Sequence, residues 1–577
     1  MQGARALTEV LIASGVSHIF GLPGDTGVSF YDALYDRRDR VRHILTRDER
    51  SASFMADVYA RVSGKLGVCE GPSGGGATYI VPGVAEAHGS AIPLLCLTSD
   101  TPVGHQGRGV LTELDQQALF APVTKWNTRV QHPATLAEAT RRAIRMATTG
   151  RPGAVHLSLP SDILEGETPD ASVYGSPEFG AVPAGRVRPD ASDVERAAAL
   201  VKAARRPVIV AGGGVLTSGA GEALQVFAER MGIPVATSIN GKGSVSEESP
   251  VSIGVVGGNG APAYANGWVA DADLVVFVGT RTDSTTTNNW TLPARDPSVR
   301  IVHIDIDAFQ VGNTYRADVA VIGDAMLALL DLDEALRDTK PDDAATRRMR
   351  ALALDRAAYW ERVEREAGSL DRPIKPQRVI RALRDVLSED AIIVADPGTP
   401  TPYIAAQYAL RRIGRTTVIP RAHGGLGFAI PGVVGASMAA PGRQVVGLTG
   451  DGSFGMSCGE FETISRLNLP VVLLHFNNGT FGWIKQLQHL YHGDRYFSVD
   501  FNPVDYGAIA RGFGLEARQV VDPEDVDGAI RDALAAGRPA LLDFVTEAQM
   551  TETPPVSAWE EAERARRLVG AAPGGQH

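Results

Sequence analysis

The sequence predicts an α/β protein made of three doubly wound parallel-sheet units in tandem. Three observations carry this expectation. The chain has 577 residues, several times the roughly 100–200 of a single domain. Helix-like segments alternate with short apolar runs from end to end, the rhythm of βαβ units. Those apolar runs close on turn residues, many of them glycine, and the carboxyl ends of parallel strands are where open sheets bind ligands.

In the first unit Ala6–Ser14 reads as helix, Ile19–Phe20 as a short strand, Phe30–Leu34 as helix and Ile92–Asp100 as a buried strand. The segment Glu165–Ser192 is rich in Gly, Pro, Ser and Asp without periodicity, and marks a linker. A second unit follows, with a helix over Asp193–Ala204 and strands over Pro207–Ala211, Asp273–Gly279 and Ile301–Ile306. Gly212, Gly213 and Gly214 lack the full G-x-G-x-x-G pattern, so a tight turn without a ligand is expected there. From Asp331 to Arg372 the chain is charged and helical, the pattern of a solvated helix or connector. The third unit starts near Pro376, with strands over Ala391–Asp396, Arg443–Gly452 and Pro470–Gly479, and the closing AAPGGQH reads as a frayed tail. The expected domains are 1–170, 186–340 and 370–560. The first and third share size and rhythm, as related halves of one site would.

Composition narrows the function. A hydrophobic share of 44% with 21% charged residues fits a folded chain with sizeable cores, not disorder. Lys plus Arg total 56 against 67 Asp plus Glu, a net charge of −11, which argues against a nucleic-acid surface while leaving room for a local phosphate site. Cys69, Cys96 and Cys458 show neither disulfide nor zinc spacing and read as small buried apolar residues. The N-terminal segment lacks the apolar core of a signal peptide, and no run of 18 apolar residues follows. A cytoplasmic protein without membrane contact is expected.

The segment Gly450–Thr480 carries the most chemistry. A strand ends at Thr449, glycines flank Asp451, a helix is expected from near Ser457, and a second strand ends at Asn477-Asn478. Adjacent parallel strands joined by a helical crossover bring Asp451 and Asn478 to one crevice. GDG alone is a turn signal, and so is NNG. GDG at the end of one apolar strand and NNG at the end of the next is far more specific. A carboxylate, an amide oxygen and a free carbonyl are hard donors for Mg²⁺ or Ca²⁺, and so few protein ligands leave positions for phosphate and water. The reading is a diphosphate site bridged by a metal.

This segment resembles the GDG…NN signature of thiamine diphosphate (ThDP) enzymes. The whole chain is similar to the acetolactate synthase-like branch of 2-oxo acid decarboxylases and carboligases, from GLPGD (Gly21–Asp25) through RPVIVAGGGV (Arg206–Val215) to GFAIPG (Gly427–Gly432). The resemblance implies a pyrimidine-binding domain, a central Rossmann-like domain and a diphosphate-binding domain. It implies that Asp451, the Asn478 side chain and the Thr480 carbonyl hold Mg²⁺. Gly450, Gly452, Ser453 and Phe454 then surround the diphosphate, joined by Gly398, Thr399 and Thr401 of DPGTPT, with Phe481 and Gly482 lining the cofactor beyond. In TRDERSASFMADVYAR (Thr46–Arg61) the match puts on Glu49 the role of protonating the pyrimidine ring, so that the exocyclic nitrogen can remove the thiazolium C2 proton. In HGGLGFAIPG (His423–Gly432) Leu426, set between Gly424, Gly425 and Gly427, holds the two cofactor rings in a V, and the Gly424 carbonyl accepts from the exocyclic amine. In this family the glutamate and the GDG site belong to different subunits, which implies a homodimer or homotetramer.

The match departs where substrates are chosen. Leu111-Thr112 in GVLTELDQ stands where acetolactate synthases carry Phe-Gln, and Leu487 in GWIKQLQ where they carry Trp. TDST (Thr282–Thr285) lacks the Arg of the segment linked to flavin, which weighs against FAD without closing the question. Asp25 resembles the proton-handling Asp of pyruvate decarboxylases, although the adjacent His pair is missing and Ile484 replaces their second acid. His105 and Gln106 offer a partial substitute. Met456 and Trp483 read either as apolar pocket walls or as core. The expectation is ThDP- and Mg²⁺-dependent decarboxylation of a 2-oxo acid with transfer of the acyl-carbanion equivalent to a carbonyl acceptor. A benzoylformate decarboxylase-like lyase and a noncatalytic ThDP-binding subunit are the alternatives.

Overall fold

The computed structural model describes residues 1–570, so the expected frayed tail AAPGGQH lies outside the described residues. Three six-stranded sheets follow one another along the chain, every named pairing parallel. The first holds β1 (His18–Gly21), β2 (Arg42–Leu45), β3 (Gly67–Gly71), β4 (Leu94–Asp100), β5 (Trp126–Arg129) and β6 (Ala154–Pro160), in the order β2-β1-β3-β4-β6-β5. The second holds β7 (Pro207–Ala211), β8 (Val235–Thr237), β9 (Ser252–Val255), β10 (Leu274–Val278), β11 (Arg300–Asp305) and β12 (Val319–Ile322), in the order β12-β11-β10-β7-β8-β9. The third holds β13 (Ile392–Ala395), β14 (Thr417–Val418), β15 (Val445–Gly450), β16 (Val471–Asn477), β17 (Glu516–Val520) and β18 (Ala540–Val545), in the order β14-β13-β15-β16-β18-β17.

The first and third sheets therefore share one strand order, and the second has the dinucleotide-fold order. Strands β4, β10 and β13 are buried along their whole length. This is why they read as continuous apolar runs without alternation. The order reverses between β13 and β15 in the third sheet and between β7 and β10 in the second, and each reversal opens a crevice beyond the strand ends.

The first and third units share one core. The helix Glu49–Ser63 packs on the helix Ala429–Ala439, with Phe54, Met55 and Val58 against Phe428 and Val433. Gly435 makes that approach close: a Cβ there would stand 2.1 Å from the Met55 carbonyl oxygen. The charged stretch resolves into the 25-residue helix Asp343–Ala367, which buries only Leu352, Tyr359, Val363 and Ala367. The helix packs on the helix Pro376–Val386, Leu352 joins Val208 and Val275 in the core of the second unit, and the Tyr359 hydroxyl donates to the Ala406 carbonyl at 3.1 Å, so the helix is a connector.

Two local expectations are corrected. The helix after β15 begins at Asp451, not near Ser457, because Gly450 stays extended (φ −125°, ψ 174°) and turns the strand directly into the first helical turn. Cys69 and Cys96 are buried, but Cys458 is partly exposed, on a 3₁₀ turn over Cys458–Glu460. Among the described residues no helix is long and apolar enough to cross a membrane.

Candidate active site

A cavity of about 1040 Å³ opens at the carboxyl edge of the third sheet. Each wall follows one strand: Gly398 and Thr399 after β13, Gly424 and Leu426 after β14, Gly450 to Ser453 after β15, and Thr480 to Ile484 after β16.

Asp451 is the first helical residue after β15 and is buried. Its Oδ2 accepts from the Asn478 and Gly479 amides at 3.0 and 3.2 Å, which ties the GDG turn to the NNG turn across neighbouring strands. Its Oδ1 accepts from the Tyr506 hydroxyl at 2.6 Å. Burial, and then the bond to Asp451, hold that phenol protonated as a permanent donor. His475, fully buried, pairs through Nδ1 with Asp543 Oδ1 at 2.8 Å and leaves Nε2 3.8 Å from Asp451 Oδ1 without a hydrogen bond. Asn478 Oδ1 accepts from the Thr480 amide and hydroxyl at 3.3 and 3.2 Å, while its buried Nδ2 has no partner.

Asp451 is thus tied to the turn that carries Asn478 and Thr480, which brings one carboxylate and one side-chain amide to neighbouring strand ends. Among the described residues there is no group of three or more His, Cys, Asp or Glu able to hold a metal alone. The set is short of ligands in the way that suits a hard cation sharing phosphate oxygens and water. The cradle for those phosphates fits as well. Gly452, Ser453 and Phe454 occupy the first turn of the helix, where backbone N–H groups have no intrahelical acceptor. A Cβ on Gly452 would stand 2.1 Å from the Phe481 ring, so only glycine lets the chain pass. Gly482 adjoins Thr399 and Asn478, and Gly398 takes φ +150°, open to a residue without a side chain. The Phe454 ring packs inward against Phe461, His475 and Tyr506, and Phe454 is not among the residues that line the cavity. Beneath Gly398, Asp396 Oδ1 accepts from the Phe428 and Ala429 amides at 2.6 and 3.2 Å, and burial pushes its carboxyl up to about 6.

The other expected residues divide. Leu426, Trp483 and Ile484 line the cavity, whereas Met456 does not, and its carbonyl accepts from Arg50 at 2.5 Å. Gly425 is pressed against Phe54, its Cβ position 3.0 Å from the ring. Glu49 is the first residue of its helix, behind the cap that Asp48 makes with the Arg50 amide at 2.7 Å. Burial raises its carboxyl above the ordinary value, a backbone hydrogen bond opposes this, and neighbouring Asp48 and Glu70 add to the rise. Neither Glu49 nor Asp25 is among the residues lining the cavity. Asp25 is exposed, its Oδ1 accepting from the Thr26 amide at 2.9 Å, and Leu111 is 82% exposed. Leu487 packs in a small cluster with Trp559, and His105 ends a 3₁₀ turn.

A second crevice, about 1080 Å³, opens at the reversal in the central sheet. Gly213 and Gly214 line it together with Gly279, Arg281 and Asp305. The glycine run borders this crevice, and close packing accounts for its first member: a Cβ on Gly212 would lie 2.2 Å from the Gly279 carbonyl oxygen. Burial pushes Asp305 up to about 6. In TDST, Asp283 Oδ1 accepts from the Thr286 amide at 2.9 Å, and Arg281 stands 3.7 Å from Asp283.

Four residues that local sequence did not single out belong to this region: Tyr506 and His475 behind Asp451, Arg421 in the cavity wall, and Glu86. Glu86 is fully buried on the helix Val81–Gly89, and its carboxylate accepts from the backbone N–H of Arg421, Ala422, His423 and Gly424 at 3.1, 3.1, 2.7 and 3.3 Å. Its one sequence signal is a lone charge on the apolar face shared by Val84 and Ala87.

Three family models cover most of the chain: Thiamine pyrophosphate enzyme, N-terminal TPP binding domain, over residues 1–119; central domain over 194–332; and C-terminal TPP binding domain over 396–544. Among curated relatives, a probable acetolactate synthase large subunit of Methanocaldococcus jannaschii is 37% identical over 95% of this chain and 92% of its own. An acetolactate synthase large subunit of Parasynechococcus marenigrum is 35% identical over 94% and 87%, and one of Corynebacterium glutamicum is 31% identical over 97% and 89%. The chain belongs to the thiamine pyrophosphate enzymes, in their acetolactate synthase-like branch.

Proposed function

We propose that the protein is a ThDP- and Mg²⁺-dependent carboligase that decarboxylates a 2-oxo acid and joins the remaining acyl unit to a carbonyl acceptor. The observation that carries this is the bond between Asp451 and the Asn478 amide, which joins the two strand-end turns at the cavity that Asp451, Thr480 and Leu426 line. When bound, the cofactor supplies a nucleophilic carbon that adds to the 2-oxo acid and stores the electron pair left by departing CO₂. Asp451, the Asn478 amide oxygen and the Thr480 carbonyl hold the metal, while Gly398, Thr399, Gly450, Gly452, Ser453 and Phe454 face the diphosphate with backbone and hydroxyl donors. Leu426 sets the cofactor's bend, with Gly424 and Gly425 giving it room and Phe481 and Gly482 closing the far wall. Glu49 holds a proton for the pyrimidine ring, and its raised carboxyl suits a donor. Asp25 handles protons at the reacting carbon.

The division of labour is a pyrimidine domain over 1–170, a central domain over 186–340 and a diphosphate domain over 370–560. A cavity that Glu49 and Asp25 do not line supports a site completed by a second copy, hence a homodimer or homotetramer working in the cytoplasm. The names of the relatives, all acetolactate synthases, support ligation over simple decarboxylation. NMR of the products from ¹³C-labelled pyruvate, with and without a second 2-oxo acid or an aldehyde, tests the reading. Carbon–carbon ligated products are expected, and acetaldehyde alone under every condition would replace the carboligase with a lyase.

A further inference from the structure

Arg421 is a guanidinium in an unusual position. It stands three residues beyond β14 and lines both the active-site cavity and the crevice of the central sheet. Among the described residues, no carboxylate oxygen forms an ion pair with it. Glu86, the nearest candidate, spends its charge on Arg61 at 3.1 Å and on the backbone around Arg421, not on its guanidinium. The Arg421 Nε is buried without a hydrogen-bond partner. One terminal nitrogen meets Asn259, whose side-chain amide, oriented by the bonds it can make, turns its oxygen to Arg421 and donates to the Gly258 carbonyl at 3.1 Å. Burial lowers the affinity of the guanidinium for its proton, with Glu86 and Asp283 only partly restoring it.

A cation held this way is costly unless an anion completes it. The sheet order says where that anion lies. Arg421 follows the edge strand β14, Asp451 follows β15, and β13 separates them, so Arg421 faces the end of the cavity away from the metal-binding residues. Leu426 stands on the same loop, on the wall where the reacting carbon would be. The loop itself is fixed, since Glu86 gathers the four successive amides of 421–424.

We propose that Arg421, steadied by Asn259, binds the carboxylate of the 2-oxo acid at the open end of the active-site cavity. This inference rests on the carboligase reading. The planar fork of arginine suits a carboxylate by paired N–H donors.

The test uses the holoenzyme with ThDP and Mg²⁺, and as probes oxamate, an unreactive isostere of pyruvate, and its uncharged ethyl ester. Dissociation constants are measured by calorimetry for wild type, Arg421→Gln and Arg421→Lys. Expected in Arg421→Gln is a loss of oxamate affinity on the order of 10- to 100-fold, the worth of one charge-assisted contact. The ester should bind as before, ThDP affinity should be kept, and Lys should recover part of the loss. Equal loss for oxamate and ester, or no binding of oxamate to wild type, overturns the proposal. So does weakened ThDP binding, which would move Arg421 to the diphosphate. Oxamate affinity unchanged in Arg421→Gln overturns it as well. Arginine-dependent oxamate binding in a protein that releases no CO₂ from pyruvate, 2-oxobutyrate or benzoylformate would uphold the anchor and sink the carboligase reading.

Discussion

Replacing Glu86 by Gln should loosen the loop that carries Gly424 and Leu426 before it affects anything else. Glutamine matches the shape of glutamate but removes the charge and turns one acceptor oxygen into a donor. In the native protein that carboxylate serves Arg61 at 3.1 Å, the Ser90 hydroxyl at 2.7 Å and the amides of residues 421–424. Burial alone would raise its pKa, but the Arg61 charge, the His423 and Gly424 amides and Ser90 together hold it below the ordinary value. Breaking a buried pair by neutralising one partner costs about 3–5 kcal/mol. Arg61 keeps Asp57 at 2.9 Å, which brings the expected cost to the lower end, about 3 kcal/mol. If the loop opens locally, that energy corresponds to amide exchange at Ala422–Gly424 faster by roughly 10². Hydrogen exchange read by mass spectrometry on the loop peptide, with urea unfolding of the same variant, measures both. A depressed carboxylate stabilises the fold above its unfolded pKa and loses that effect as pH falls through its folded value. The gap between wild type and Glu86→Gln should therefore close in acid. Exchange unchanged at neutral pH, with stability within about 0.5 kcal/mol of wild type, would refute the idea that this buried charge organises the loop.

Three further outcomes follow from the site. Glu49→Ala should retain ThDP in the presence of Mg²⁺ yet slow C2 proton exchange of the bound cofactor by about 10²- to 10⁴-fold, read by NMR after acid quench; normal exchange would remove Glu49 from its role. Tyr506→Phe deletes the 2.6 Å bond to Asp451 and should weaken Mg²⁺ binding in the presence of ThDP on the order of 10-fold, followed through the fluorescence of Trp483 in the cavity wall. An unchanged Mg²⁺ titration would mean that the hydroxyl does not orient the carboxylate. Asp396 is raised to about 6 by burial, so it is favourable while protonated at low pH and becomes a penalty as pH rises through 6. Asp396→Asn keeps an acceptor for Phe428 and Ala429 and should raise the apo-protein's melting temperature at pH 8 while changing it little at pH 4; the reverse pH dependence would contradict the assignment.

What the sequence made legible is what local pattern can encode. Strand β7 was readable to the residue as Pro207–Ala211, because a strand buried on both faces shows its apolar run directly. GDG and NNG were readable as partners because β15 and β16 are neighbours joined by one crossover. Glu86 was not, because its meaning lies 335 or more positions away, in amides that approach only when the first and third units share a core. Tyr506 was hidden for the same reason, at 55 positions from Asp451. The helix starting at Asp451 was misplaced because glycine-rich sequence resembles loop, and only the extended Gly450 reveals the cap.

The order of strands within a sheet is equally absent from local sequence, and it gives the pairing of the outer units a physical reason. In the first sheet Asp25 stands four residues beyond β1 and Glu49 four beyond β2; in the third, Thr399 stands four beyond β13 and the Glu86-held loop follows β14. Since the two sheets share one strand order, equivalent loops project from equivalent edges in both. What differs is the chemistry loaded onto them. The first sheet carries carboxyl groups, one of them buried with its pKa raised, whereas the third carries glycines, free amides and the carboxylate of Asp451. An anion with a basic ring at its other end needs both kinds of loop, facing each other. Two copies of one topology provide that opposition with no new fold, the one acidic at its strand ends and the other open-backed there.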